Sequence, residues 1–114
     1  MDIAHYRAKL LALRDDLSAE SEKTRGSRQP VELDQQAVGR VSRADAMRDQ
    51  AMAIELERRR EQQRLRVDAA LKRVADGTFG ECLACGELIG EKRLDLDPTL
   101  PTCVACAGKA AGPS

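Results

Sequence analysis

Across 114 residues the chain carries 19 basic and 19 acidic side chains, no Trp, one Tyr and one Phe, and 33% of its residues are charged. That is too little chain and too little aromatic volume for a large core, so one small domain with an extended arm is expected. A net charge of zero provides no positive field to gather phosphate backbones, which removes nucleic acid as the default partner.

The N-terminal stretch "MDIAHYRAKLLALRDDL" has charges every few residues and lacks the apolar core of a signal peptide. No window approaches the ~20 apolar residues of a membrane span, so the reading is a soluble, cytoplasmic protein. Within this stretch Ile3, Tyr6, Leu10, Leu13 and Leu17 recur at spacings of 3 and 4, the a/d repeat of a helix packed along one seam. Asp2 is placed to cap it, and Gly26, Ser27 and Pro30 mark a loop after about residue 23.

From Ser42 to Asp76 there is no Pro or Gly, and Arg, Glu, Gln, Ala and Leu dominate. The stretch predicts a helix over about 42–76, roughly 50 Å long at 1.5 Å per residue. Its apolar residues are Met47, Ala51 and Ile54 early and Leu71 and Val74 late, with Leu56, Leu65 and Val67 between them. Neither helix has a stripe broad enough to stand alone. The economical solution is an antiparallel hairpin over 1–76, with helices at about 2–23 and 42–76 and a tip loop between; a parallel homodimeric coiled coil is the competing arrangement. The Arg- and Gln-rich middle, which does not sustain apolar heptads, favours the monomeric hairpin.

All four cysteines lie in "CLACGELIGEKRLDLDPTLPTCVAC", as C-x2-C-x17-C-x2-C: Cys82, Cys85, Cys103 and Cys106. Two residues between cysteines let one tight turn aim both sulfurs at one metal, and this spacing is that of a structural four-cysteine zinc site. Two disulfides do not suit a cytoplasmic chain, and a redox pair would need only one such motif. Four cysteines fill every position of a tetrahedral ion, leaving none for water or substrate; iron is the other metal that tetrahedral thiolates accept. Lys92 and Arg93 are the cations nearest in sequence to offset the thiolate charge. The weak alternation of "ELIGEKRLDLD" around Gly90 predicts a short β-hairpin in a zinc-finger domain over 77–110, and 111–114 is a tail. His5, the only histidine, lies beside the first seam with no nucleophile or phosphate loop to serve, so no enzyme is expected.

A helical hairpin followed by "GTFGECLACGELIGEKRLDLDPTLPTCVAC" resembles the DksA/TraR family of four-cysteine zinc-finger proteins, most closely over about residues 67–106. The resemblance implies a zinc domain docked at the rim of the bacterial RNA polymerase secondary channel. The coiled-coil tip would reach toward the catalytic centre and modulate initiation without touching DNA. Counting back from Cys82, the tip falls on "GRVSRA". Where family members carry D-x-x-D-x-A, this chain has Gly39 and Ser42 at the acidic positions and keeps Ala44. Gly39, Ser42, Arg43, Ala44 and Asp45 are therefore the candidate partner-binding residues. Gly39 also suits a turn, and Ser42 with Asp45 has the form of a helix cap. The family's alarmone surface maps onto Arg59 and Arg66, which makes guanosine tetraphosphate a candidate ligand, although the lysine often found after the last cysteine is Ala107 here. Loss of both tip carboxylates leaves a second reading, a zinc-stabilised adaptor for a partner other than RNA polymerase.

Overall fold

The computed structural model describes residues 1–29 and 40–111, and among these the fold is mainly helical. Helix α1 spans Ile3–Lys23 and α2 spans Arg40–Asp76; the short α3, Glu91–Leu96, and α4, Val104–Ala111, follow in the cysteine-bearing part. No helix among the described residues is long and apolar enough to cross a membrane.

Local chemistry sets the helix ends. Asp2 Oδ1 accepts the backbone N–H of His5 at 3.1 Å, so its carboxylate caps α1. The helix ends at Lys23 and tightens into a 3-10 turn over Arg25–Arg28. Helix α2 ends at Asp76 because Gly77 takes φ +80°, a region that costs glycine no Cβ clash. Gly77 N–H then reaches the Val74 carbonyl at 3.3 Å and Thr78 N–H the Arg73 carbonyl at 2.9 Å, the paired bonds of a Schellman cap. The start of α2 differs from expectation. The helix already includes Arg40, so Ser42 lies inside its first turn and not at its cap; nothing in Arg40-Val41 resists helix, whereas Gly39 does. Gly39 itself lies outside the described residues.

Two compact units make up the chain, one of Met1–Asp15 with Arg64–Ser114 and one of Asp16–Gln63. In the first unit Tyr6, Leu10, Val67, Ala70, Phe79, Ile89 and Leu94 are buried, together with Cys82 and Thr99. The rings of Tyr6 and Phe79, the only Tyr and Phe in the chain, lie 5.4 Å apart between centroids. Tyr6 also donates its hydroxyl to Asp95 Oδ1 at 2.7 Å, and Lys9 Nζ donates to the Asp95 carbonyl at 2.6 Å, which ties α1 to α3. That bond to a carboxylate keeps the phenol protonated, pushing its pKa up to about 12.

In the second unit α1 and α2 pair in antiparallel order, with Ser21 against Glu57 and Gln29 against Gln50. Among the described residues of this unit none is fully buried. The inward positions of α2 are Ala46, Gln50, Ala53, Glu57 and Arg60, at spacings of 4 and 3. Met47, Ala51 and Ile54, the expected seam, instead face solvent, Met47 being 56% and Ile54 51% exposed. Counting apolar residues alone misplaced the seam by one position, because the true seam here is polar. Glu57 accepts from Ser21 Oγ at 2.6 Å and pairs with Arg60 at 2.9 Å and Arg28 at 3.1 Å, and Arg60 and Arg28 both donate to Thr24 Oγ1. Each member satisfies another, as half-buried charge requires.

The Ser21 hydroxyl and the two guanidinium groups hold the Glu57 carboxyl below the usual carboxylate range. A depressed carboxylate stabilises the fold above its unfolded pKa of about 4.3, and that contribution is lost as pH falls through the folded value. Glu57→Gln is therefore expected to cost about 1–3 kcal/mol at pH 7. In denaturant unfolding the gap from wild type should close progressively below about pH 4. A gap as wide at pH 3 as at pH 7 would show that the charge is not what stabilises.

Candidate metal centre

The cysteine-bearing segment is built from tight turns. Gly80 at φ +92° and Gly86 at φ +78° bracket Cys82, whose N–H donates to the Glu87 carbonyl at 2.7 Å while its carbonyl accepts Gly86 N–H at 2.9 Å. This turn points Cys82 and Cys85 the same way. The second pair sits at the start of α4, where Ala107 N–H bonds the Cys103 carbonyl at 2.9 Å and so places Cys106 one turn beyond Cys103. Leu83 N–H donates to the Pro101 carbonyl at 2.9 Å and stitches the first turn to the approach of the second.

The expected β-hairpin does not form among the described residues. A single antiparallel bridge joins Glu81 and Leu88, and Glu91–Leu96 is the helix α3. Gly90 at φ +103° redirects the chain, after which Glu-Lys-Arg-Leu-Asp-Leu is free to coil. A strand would turn Leu94 and Leu96 to the same face, whereas Leu94 is fully buried and Leu96 is 88% exposed.

The sulfur atoms of Cys82, Cys85, Cys103 and Cys106 all lie within 4.8 Å of one another, and Cys85 and Cys103 are 3.8 Å apart. Four thiolates around zinc at about 2.3 Å would sit about 3.8 Å from each other, so the cluster fits one tetrahedral ion. The thiols themselves call for a cation. The backbone of Cys103 lowers the Cys82 pKa to about 6, but the adjoining Cys103 sulfur pushes Cys106 up to about 12. Four such groups cannot all ionise together without a positive charge at their centre, which zinc supplies when bound. With all four positions taken by sulfur the ion's contribution is structural.

Residues outside the cysteine pairs hold this arrangement. Arg93 Nε donates to the Thr102 carbonyl at 3.1 Å, fixing the residue just before Cys103. Sequence reasoning selected Arg93 for its charge; what the structure adds is this directional bond to backbone, while Lys92 is solvent-exposed. Asp97 Oδ1 accepts both the N–H and the hydroxyl of Thr99, at 3.0 and 2.6 Å, which lets Thr99 be buried beside Pro98. The "DPT" stretch carries the sequence signal for this Asx turn.

The remaining candidates lie elsewhere. Arg43, Ala44 and Asp45 are exposed on the first turns of α2, with Asp45 3.4 Å from Arg48. Arg59 lies in the second unit 3.5 Å from Glu55, and Arg66 in the first, 3.6 Å from Asp97. His5 is exposed and edge-on to Tyr6.

Paired helices ahead of a closed four-cysteine cluster define a structural zinc-finger protein. Residues 77–110 match the prokaryotic dksA/traR C4-type zinc finger. Over 107 residues the chain is 31% identical to the RNA polymerase-binding transcription factor DksA of Escherichia coli K12, covering 91% of this chain and 68% of that one. It is 34% identical over 100 residues to the factor of the same name from Caulobacter vibrioides, covering 85% of this chain and 67% of the relative. The solved structure of transcription factor DksA2 from Pseudomonas aeruginosa superposes with a TM-score of 0.77 at 27% identity, over 95% of this chain and 81% of that one. The chain belongs to the DksA/TraR family.

Proposed function

We propose that this protein is a non-enzymatic regulator that binds bacterial RNA polymerase through the secondary channel and modulates initiation without contacting DNA. The observation that carries this reading is that the likeness to relatives named RNA polymerase-binding covers the helices as well as the finger. The absence of net positive charge is consistent with a protein target. In this reading one folded copy acts per polymerase, the cysteine-bearing domain 77–110 docks, and Gly39 to Asp45 form the end of the 1–76 arm that meets the enzyme.

A second reading, an adaptor with another partner, is favoured by one observation: both acidic positions of the family tip are changed, to Gly39 and Ser42. The alarmone reading places guanosine tetraphosphate against Arg59 and Arg66 at the junction with polymerase. There it would compete with Glu55 and Asp97 for the two guanidinium groups.

The test is a binding titration of the zinc-loaded protein against RNA polymerase core enzyme, with an initiation assay on the same samples and a Gly39→Asp/Ser42→Asp variant alongside. Saturable binding with an initiation effect altered by the variant is the expected result. No binding by either protein would transfer the fold to the adaptor reading. An alarmone effect lost in Arg59→Ala or Arg66→Ala would support that ligand, and alarmone-independent activity would remove it.

A further inference from the structure

The stripe of α2 that looked like a seam and proved exposed has a composition of its own. Taking Ala51 as its front, residues on an α-helix turn by about 100° each. Met47 and Ile54 then lie about 40° and 60° to one side, and Arg48 and Glu55 about 60° and 40° to the other. Along the axis Met47 and Arg48 lie about 6 and 4.5 Å before Ala51, and Ile54 and Glu55 about 4.5 and 6 Å after it. All five residues belong to the second compact unit, and Met47, Arg48, Ala51 and Ile54 are exposed. A two-fold axis through Ala51 that lays this face on its own copy, antiparallel, brings Met47 opposite Ile54 and Arg48 opposite Glu55, each pair within about 1.5 Å of level. The centre is then Ala51 against Ala51, small enough for close helix approach, and Ala44 repeats it seven residues earlier on the same face.

We propose that this face of α2 binds the same face of a second copy of the chain, as an antiparallel, isologous pair. The apolar side covers Met47 and Ile54, which nothing covers within the described chain. The charged side is self-complementary only in this antiparallel register; a parallel two-fold pairing would set the Arg48 and Glu55 side of each helix against the Met47 and Ile54 side of the other. Arg48 and Glu55 already have surface partners, Asp45 at 3.4 Å for the first and Arg58 at 2.7 Å for the second. Exposed pairs of this kind exchange at little cost. The helices fill their own seam within one chain, so the contact joins two folded copies, and it does not depend on polymerase binding. With so few residues on each side the pair is of the transient class.

Sedimentation velocity on the full zinc-loaded chain, from about 1 µM to about 1 mM, reads the association. The mean mass should climb from one chain toward two. Ala51→Lys, at an exposed position that tolerates a good helix former, should weaken association by at least about tenfold with unchanged circular dichroism. The decisive arm is charge exchange. Arg48→Glu alone and Glu55→Arg alone each place like charges together twice and should stay single, whereas an equimolar mixture of the two restores both opposite pairs and should associate as wild type does. A wild type that remains a single chain throughout, leaving the face to a partner of other sequence, would overturn the proposal. So would association of either charge variant alone at wild-type strength, or a mixture that associates no better than its components.

Discussion

Removing zinc with a high-affinity chelator is expected to unfold the cysteine-bearing segment while leaving helix elsewhere. Its buried apolar side chains are few: Phe79, Ile89 and Leu94, with Cys82 itself among the ligand set. Each contributes about 1.5–3 kcal/mol, against about 1–2 kcal/mol of backbone entropy for every residue ordered. Structural zinc in comparable peptides binds with about 10 kcal/mol or more, on the scale of a whole domain's stability. The metal therefore decides whether the turns at Gly80, Gly86 and Gly90 are held. The check is hydrogen exchange on the full chain. Amides of residues 79–108 should lose protection on chelation, and those in the middle of α2 should keep most of theirs. Tyr6 gives a second readout: the only tyrosine packs on Phe79 and bonds Asp95, so its near-ultraviolet dichroism should collapse in the same titration. Cys103→Ser should reproduce the metal-free state. A metal-free chain with full protection over 79–108 would mean that packing alone suffices and that zinc is incidental to the fold.

Leu10→Ala is expected to destabilise the first unit by about 2–5 kcal/mol, the cost of deleting a fully buried leucine whose surroundings cannot collapse into the gap. Leu10 has no exposed surface, and Tyr6, Val67 and Ala70 are buried in the same core. That loss is a large fraction of a marginal stability of about 5–15 kcal/mol. Leu65→Ala is the matched control, since Leu65 is 69% exposed and should change stability by no more than about 0.5 kcal/mol. Equilibrium urea unfolding of both variants, with the metal retained, measures the difference. Equal effects at the two positions would show that the core has been assigned to the wrong helical faces.

These two expectations differ in how early they are visible. The four cysteines and their spacing are legible in the sequence, because a tetrahedral thiolate site constrains residue type and separation so tightly that few other arrangements share them. The first seam is legible in part from its periodicity: Tyr6 and Leu10 fall on the apolar repeat and are buried, whereas Ile3 at its start is 38% exposed. Along α2 the same rule misleads. Periodicity identifies an apolar stripe but not whether it faces in, and Met47, Ala51 and Ile54 satisfy the pattern while Glu57, Arg60 and Gln50 occupy the seam. The β-hairpin fails likewise, since Leu94 and Leu96 alternate in sequence while a helix buries only the first.

Taken by itself, the sequence determined the helical class, the end of α2 at Gly77, the ligand set and its closed, structural character. Each of these follows from interactions between residues close in the chain or from one metal's fixed geometry. Only the tertiary structure decided which face of α2 is buried, that Glu57 is partnered by Arg28 and Ser21, that Tyr6 reaches Asp95, and that Arg93 secures the carbonyl before Cys103. Those contacts join residues far apart in sequence, and a polar side chain becomes an inward one only when a distant partner is there to satisfy it.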